Sequence, residues 1–401
     1  MINLEVPQKF RVLVDQAHGV AAEVFRPNSR KYDLAEHAYP KELDMLAALL
    51  DGVSDGGGAS GAGATGVRRT EAEAGNRNGA NMSTVLGCAE LCWGDVGLLL
   101  SMPRQGLGNS AIASVASDEQ RQRFEGRWAA MAITEPHCGS DSAAIRTTAR
   151  LDGEHYVLNG DKIFVTSGAR AELVVVWATL DRSAGRAAIK SFVVEKGTPG
   201  FELVRLEHKL GIRASDTAQF ALRDCRVPKE NLLGEATISA EKGFAGVMQT
   251  FDNTRPLVAA MALGLAKACL DETRTQLDGA GVKLDYDTPA PCQGTAASEF
   301  LRMQADYEAA RLLTLQAAWM ADNRKPNSLQ ASMAKAKAGR SCVDIALKCV
   351  ELCGSAGLSE KTLLEKWARD AKILDIFEGT QQIQLLIVAR RLLGKSSSDL
   401  K

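Results

Sequence analysis

Apolar positions recur with two different periods along the chain. They lie three and four residues apart through residues 10–50, as at Leu43, Leu46 and Leu50, and this spacing predicts helices. From about 128 to 234 the chain instead carries short apolar runs rich in Val, Ile, Phe and Thr, separated by Asp-Gly, Asn-Gly and Pro-Gly pairs. Such runs predict the strands of an antiparallel sheet or barrel. After them the helical spacing returns and continues to the C-terminus.

These textures predict an α+β multidomain protein. We expect an N-terminal α-helical domain in 1–128, a middle antiparallel, β-barrel-like domain in 129–236 and a C-terminal four-helix-bundle domain in 237–401. Within the first, residues 51–66 hold seven glycines and predict a flexible loop. Its Gly-x-Gly pieces are not a dinucleotide fingerprint, because no strand precedes them and no apolar helix follows directly.

Composition excludes several classes of protein. The 48 basic and 49 acidic side chains nearly cancel, so overall charge does not favour nucleic acid or an anionic membrane. Nine scattered cysteines without a Cys-x-x-Cys pair argue against a disulfide framework. The pairs Cys88/Cys92 and Cys349/Cys353 are spaced i,i+4, and no Cys or His lies nearby to complete a tetrahedral metal site. The longest apolar run, 173–180, is too short to span a bilayer, and the N-terminus lacks a secretory pattern. We therefore expect a cytoplasmic protein with no metal and no stable membrane association.

One carboxylate near the C-terminus is a candidate general base. The chain there reads Lys372-Ile-Leu-Asp-Ile-Phe-Glu378-Gly379-Thr380-Gln-Gln382-Ile, so Glu378 stands between an apolar helix end and a Gly-Thr break. Burial raises a carboxyl pKa, and a base nearer neutrality can remove a carbon-bound proton. For a lone Glu the alternative is a solvated residue at a helix end.

Two segments of the middle domain carry groups that suit a planar polar ligand. Residues 131–141 join a strand-like start to a turn rich in hydroxyls and backbone donors. Following Asn159-Gly160, Phe164 and Thr166 alternate onto one face of a strand, which places a ring for stacking beside a hydroxyl. Taken singly, each segment is also consistent with a capped loop or a core aromatic.

Five segments in this order, covering about residues 80–394, resemble the acyl-CoA dehydrogenase family of flavoproteins. They are Ile133-Thr-Glu-Pro with Gly139-Ser-Asp, Asn159-Gly with Lys162-Ile-Phe-Val-Thr, Asp224-Cys-Arg-Val-Pro-Lys-Glu-Asn-Leu-Leu-Gly, Phe251-Asp-Asn-Thr-Arg-Pro, and Arg369-Asp-Ala-Lys with Ile376-Phe-Glu-Gly-Thr-Gln-Gln-Ile-Gln. Each segment alone is a weak or moderate signal, whereas the five in order are specific.

The resemblance implies a role for each matching position. Glu378 matches the base that removes the α-proton of an acyl thioester while a hydride leaves the β-carbon. The substrate contacts that it implies are Ser140, Asp252, Arg255 and Gly379. The FAD contacts that it implies are Met131, Ile133, Thr134, Ser140, Phe164, Thr166, Glu351, Cys353, Gly354, Ser355, Thr380 and Gln382. Because residues 351–355 match a loop that serves a neighbouring subunit's cofactor, a homotetramer or a homodimer is implied.

The implied activity is FAD-dependent α,β-dehydrogenation of an acyl-CoA to the trans-2-enoyl-CoA, with electrons passed to an electron-transfer flavoprotein. Two alternatives remain open, an acyl-CoA oxidase that uses oxygen and a non-catalytic acyl-CoA-binding subunit of a heteromeric dehydrogenase. The second is suggested by a departure from the family, whose Arg-x-x-Phe-Gly motif is missing after Leu277, where Lys283 is the nearest replacement charge. Acyl chain length, and CoA against a carrier-protein thioester, also stay open.

Overall fold

The computed structural model describes residues 6–53, 77–103, 107–238, 245–396 and 399, with backbone alone for 48–53 and 245–253. One long N-terminal helix covers Arg11–Val20, a π-helical stretch at Ala21–Phe25 and Arg26–Leu34. The helices that precede the sheet are α1 (Arg11–Val20), α2 (Arg26–Leu34), α3 (Glu42–Val53), α4 (Ala80–Gly94), α5 (Val96–Leu99), α6 (Leu107–Val115) and α7 (Asp118–Arg123). The helices that follow it are α8 (Ala245–Gly279), α9 (Thr295–Asp322), α10 (Ser328–Leu352), α11 (Ser355–Leu358), α12 (Leu364–Ile376) and α13 (Gln381–Leu393).

The middle of the chain folds into a seven-stranded sheet. Its strands are β1 (Ala129–Ala132), β2 (Thr148–Asp152), β3 (His155–Thr166), β4 (Leu173–Thr179), β5 (Ile189–Glu195), β6 (Phe201–Leu206) and β7 (Thr217–Pro228). They lie in the order β1-β4-β2-β3-β7-β6, and β5 pairs with β4. Most pairs are antiparallel, as predicted, but β4 runs parallel to both β1 and β2. These pairings make the sheet mixed, because the chain crosses over between β1 and β4 instead of returning by a hairpin.

The central strand β4 is buried along its whole length because both of its faces are covered. Val174 and Val176 join a core with residues of β3, β5 and β7. Leu173 and Val175 pack on the other face with Ile112 of α6. A strand covered on both sides needs a continuous apolar run, and the Leu-Val-Val-Val-Trp sequence of β4 supplies it.

The helices before and after the sheet share one apolar core. Phe25 of the N-terminal helix and Trp367 of α12 belong to the same buried cluster. Helices α4 and α8 approach so closely that a Cβ at Gly264 would lie 2.1 Å from Ala89 O. The predicted α+β fold, with helices, then a β domain, then a helical bundle, is confirmed. Of the predicted loop at 51–66, residues 51–53 extend α3 and the remainder lies outside the described residues.

Candidate active site

Glu378 lies on a short turn between two helices. Helix α12 ends at Ile376, and Thr380 caps α13, its hydroxyl accepting a hydrogen bond from Ile383 N. Two consecutive residues of the turn have positive φ, 54° at Glu378 and 92° at Gly379. Such a conformation is uncommon for a residue other than glycine, and it persists only where the surroundings fix it. The strained turn therefore fixes where the carboxylate points.

The Glu378 carboxylate has one hydrogen-bond donor and two cationic neighbours. Thr254 Oγ1 on α8 donates to Glu378 Oε2 at 3.0 Å. Burial raises the pKa of the Glu378 carboxyl, while the Thr254 hydrogen bond and the charges of Lys335 and Arg255 oppose that rise. The pKa remains above the ordinary value, which moves the group toward the range that suits a general base near neutral pH. Arg255 is itself buried on α8.

A bulge in β3 presents Phe164 outward. The register of β3 against β7 shifts between Lys162 and Val165, and Phe164 has φ of 58°. As a result 58% of the Phe164 surface is exposed, while the next residue, Val165, is fully buried. Ile163 N donates to Thr134 O at 2.9 Å, which ties the 131–141 turn to the same strand. The structure thus joins the two middle-domain segments that the sequence singled out.

A buried ion pair beneath these segments was missed by sequence reasoning. Lys162 Nζ lies 2.8 Å from Glu135 Oε1 and 3.0 Å from Ile133 O. The Glu135 carboxylate also accepts from Thr147 Oγ1 and from the Arg146 and Thr147 amides. Burial alone would raise the pKa of Glu135, but Lys162 and these donors hold it below its usual value. The sequence did hold a signal for this pair, because Lys162 is a charged residue at a position where the alternation of β3 turns the side chain inward.

The remaining predicted residues differ in exposure. Glu351 lies on α10, 16 residues and about 24 Å of helix from Lys335. The side chain of Asp252, which lies on α8, is outside the described part of the structure. Ile133 is buried. Ser140, Glu351, Gly354, Ser355 and Gln382 are exposed, and Met131, Thr134, Thr166, Cys353, Gly379 and Thr380 are half-buried.

The segment after α8 folds back onto α9 instead of presenting an arginine. Tyr286 receives a hydrogen bond from Arg274 at 2.7 Å and donates to Gln304 Oε1 at 2.9 Å. The suggested substitute, Lys283, is exposed. Because this segment lacks the motif's arginine, we expect this chain to retain FAD more weakly than relatives with the Arg-x-x-Phe-Gly motif.

One cluster of possible metal ligands occurs in the described part of the chain. Glu36 and His37 after α2 and His208 after β6 place one potential ligand atom each within 4.8 Å of one another. The Glu36 carboxylate is already paired with His208 Nδ1 at 2.8 Å and with the Lys209 amide at 2.9 Å. These two hydrogen bonds of Glu36 join the turn after α2 to the loop after β6.

Comparisons with known proteins agree with this geometry. The family models of the acyl-CoA dehydrogenase middle domain and C-terminal domain match residues 130–225 and 241–393. The short-chain specific acyl-CoA dehydrogenase of Clostridium acetobutylicum is 36% identical over 331 residues, covering 80% of this chain and 84% of that protein. The mitochondrial short-chain specific enzyme of Rattus norvegicus is 37% identical over 77% of this chain and 73% of its own length.

Solved structures also show similarity to the acyl-CoA dehydrogenases. Butyryl-CoA dehydrogenase from Megasphaera elsdenii superposes with a TM-score of 0.83 at 29% identity, covering 98% of this chain and all of that one. A chain from a structure of the electron transferring flavoprotein of Acidaminococcus fermentans gives the same TM-score at 30% identity, over 98% of this chain. The family models, relatives and fold together define a flavin-dependent oxidoreductase. The chain belongs to the acyl-CoA dehydrogenase family, as its sequence segments indicated, and its cofactor is FAD.

The middle-domain residues fit a flavin. An aromatic ring that is more than half exposed on a β-strand leaves much of its apolar surface open to a ligand. Phe164 offers such a surface for the isoalloxazine rings, and the half-buried hydroxyls of Thr134 and Thr166 offer hydrogen bonds for their polar edge.

Among the described helices, none is both long and apolar enough to cross a membrane.

Replacing Phe164 by Ala is expected to weaken FAD binding by about two- to tenfold, the usual worth of an aromatic stacking contact. Titration of the FAD-free protein with FAD, followed by flavin fluorescence, measures the effect. Leu151→Ala on β2 is the matched control, since Leu151 is 55% exposed on the same sheet and has no predicted role. Equal FAD affinity in Phe164→Ala and the control would contradict the stacking role.

Proposed function

We propose that this protein catalyses the FAD-dependent α,β-dehydrogenation of short-chain acyl-CoA thioesters to trans-2-enoyl-CoA, with Glu378 as the base. The observation that carries the proposal is the Glu378 carboxylate, fixed on a left-handed turn and bonded to Thr254 Oγ1 at 3.0 Å. The candidate site thus contains a carboxylate whose pKa is raised by burial.

The residues present support proton abstraction from carbon. A thioester α-proton is weakly acidic, so its removal needs a base that is shielded from water and matched in pKa to the working pH. Glu378 is half-buried, which partly shields the carboxylate from water, and the Thr254 hydrogen bond with the charges of Lys335 and Arg255 favours its ionised form. The Glu378 carboxylate accepts the α-proton, and FAD, when bound, supplies the acceptor for the hydride.

The names of the relatives support the proposed substrate class. Those of Clostridium acetobutylicum and Rattus norvegicus are named for short acyl chains, and the Megasphaera elsdenii structure for butyryl-CoA. We extend that class to this chain, with Asp252 and Arg255 as candidate contacts along the CoA arm. An electron-transfer flavoprotein is the proposed electron acceptor, supported by the similarity to a chain from a structure of such a protein.

We further propose a homotetramer or homodimer that works in the cytoplasm. Glu351 lies about 24 Å along α10 from Lys335, the buried neighbour of the Glu378 turn, so this part of the 351–355 segment is remote from the turn along its own helix, and we assign the segment to a second subunit's FAD. The non-catalytic alternative is disfavoured because the Glu378 contacts are intact despite the missing Arg motif. Oxygen as the acceptor remains an outcome for the test to detect.

The test is a visible spectrum of the purified protein under anaerobic conditions, before and after addition of acyl-CoAs of increasing chain length. We expect butyryl-CoA and its close neighbours to remove the flavin absorbance fastest, because short acyl chains are the proposed substrate class. A yellow protein whose spectrum no acyl-CoA changes would contradict the proposal. Rapid reoxidation by air would favour the oxidase, and protein that FAD cannot reconstitute would favour the non-catalytic subunit.

A further inference from the structure

The turn that carries Glu378 is held at its backbone carbonyls by two buried side chains. Lys335 Nζ on α10 lies 2.7 Å from Gly379 O and 3.3 Å from Asp375 O. Gln384 Nε2 on α13 donates to Glu378 O at 3.2 Å and to Gly379 O at 3.3 Å. Lys335 exposes 1% of its surface and Gln384 none. Two neighbouring helices therefore clamp this turn.

The backbone of the turn depends on such support. A residue other than glycine is rarely left-handed, yet Glu378 has φ of 54°. Relaxation to an ordinary backbone would redirect the carboxylate, and a displacement of about 1 Å at a reacting group can cost about a hundredfold in rate. The donors that hold the carbonyls of Glu378 and Gly379 therefore also hold the base in place.

The clamp from α10 differs from the clamp from α13 because it carries a charge. Burial lowers the pKa of Lys335 to about 8, with Asp375 and Glu378 opposing the change and Arg255 adding to it. Lys335 consequently keeps its proton at neutral pH, and its charge lowers the pKa of Glu378. The Asp375 carboxylate is itself paired with two further cations, Arg340 at 3.1 Å and Lys372 at 3.2 Å.

We propose that Lys335 is the positioning residue of the Glu378 base. Its ammonium group holds the Gly379 carbonyl, which fixes the turn, and its positive charge favours the ionised form of the carboxylate. The proposal rests on the proposed function, because it assigns Lys335 a role in the reaction of Glu378. Lys335 thus makes two separate contributions. A neutral donor can replace its hydrogen bond, but a neutral donor cannot replace its charge.

Three variants separate these contributions. Lys335→Met removes both the hydrogen bond and the charge, and Lys335→Gln keeps a donor without the charge. Lys337→Met is the matched control, since Lys337 lies on the same helix and pairs with Asp306 at 2.6 Å. For each variant we would measure FAD content, kcat, and kcat/KM with butyryl-CoA as a function of pH.

We expect Lys335→Met to lower kcat by about ten- to a hundredfold and to move the acid limb of kcat/KM to higher pH. The direction of this shift follows from the charge. Without the Lys335 cation, Glu378 keeps its proton to a higher pH, so the ionised carboxylate that acts as the base forms only at higher pH. Lys335→Gln should regain part of the lost kcat but keep the displaced acid limb. Lys337→Met should match the wild type.

A purely structural role would lower the rate without moving the acid limb, so an unchanged limb in both Lys335 variants would overturn the proposal. If Lys335→Met does not retain FAD, Lys335→Gln decides the question by its acid limb alone. Failure of the proposed function looks different, because then no acyl-CoA changes the flavin spectrum of the wild type. Reduction of the wild type together with an unmoved limb in the variants removes only the role of Lys335.

Discussion

Replacing Glu378 by Gln is expected to slow flavin reduction by butyryl-CoA by about 10²–10⁴-fold, the usual contribution of a positioned general base. The substitution keeps the shape of the side chain, and the Gln oxygen can still accept the Thr254 hydrogen bond. It removes only the ability to take a proton. Loss of rate can therefore be assigned to the chemistry and not to collapse of the turn.

Anaerobic stopped-flow absorbance at saturating substrate measures this effect. Glu360→Gln, at an exposed position before α12, makes the same chemical change away from the site and should react like the wild type. Because burial raises the pKa of Glu378, wild-type kcat/KM should fall on acidification with a midpoint above the ordinary glutamate pKa. A Gln variant within about threefold of the wild-type rate, far from the 10²-fold loss expected for a base, would exclude Glu378 as the base.

Sequence periodicity predicted the architecture because each texture reports a local constraint. Period-2 runs bounded by turn residues specify strands, and the turn at Asp152-Gly153 between β2 and β3 agrees with that rule. The Asn159-Gly160 pair, predicted as a turn between two strands, was wrong as a break, because it lies inside β3, where the register against β7 shifts. Glu378 and Phe164 could also be singled out from sequence, the first by its place at a helix end and the second by its strand and family segment. Their functional roles remain predictions that the variants above test.

The contacts that tune the candidate base could not be predicted from local patterns. Thr254 and Glu378 are 124 residues apart, and Lys335 and Gly379 are 44 apart, so only the packing of α8, α10 and the turn brings them together. In sequence Lys335 is one of several lysines on a helix, where a solvated position is the ordinary expectation. Its burial depends on α12 and α13 covering that face of α10.

Lys366 gives a second example, and its effect on stability is large. At spacing i,i+4, Lys366 and Asp370 have the pattern of an exposed helical ion pair. In the structure both are buried, and Lys366 Nζ lies 2.6 Å from Asp370 and 2.7 Å from Asp95. Asp95 also accepts from Ser29, and Asp370 from Ile212 N. This network joins α2, α4, α12 and the loop before β7.

Two carboxylates share the one ammonium group, so the network is most sensitive to loss of the lysine. Although burial disfavours the charge, Asp370 and Asp95 raise the pKa of Lys366 well above its ordinary value. Removing one member of a buried pair leaves an uncompensated charge and typically costs about 3–5 kcal/mol. That is a large part of the stability of an ordinary domain, which is about 5–15 kcal/mol.

Lys366→Met is therefore expected to lower the unfolding free energy by about 3–5 kcal/mol at neutral pH. Urea unfolding at fixed protein and FAD concentration measures it, and Lys361→Met, at an exposed position close by, should change it by less than about 0.5 kcal/mol. Burial already raises the pKa of Asp370, and loss of the opposing Lys366 charge should raise it further above the unfolded value. The deficit should then shrink as the pH falls and Asp370 gains a proton, and widen as the pH rises. A deficit independent of pH would show that Lys366 contributes by packing and not by charge.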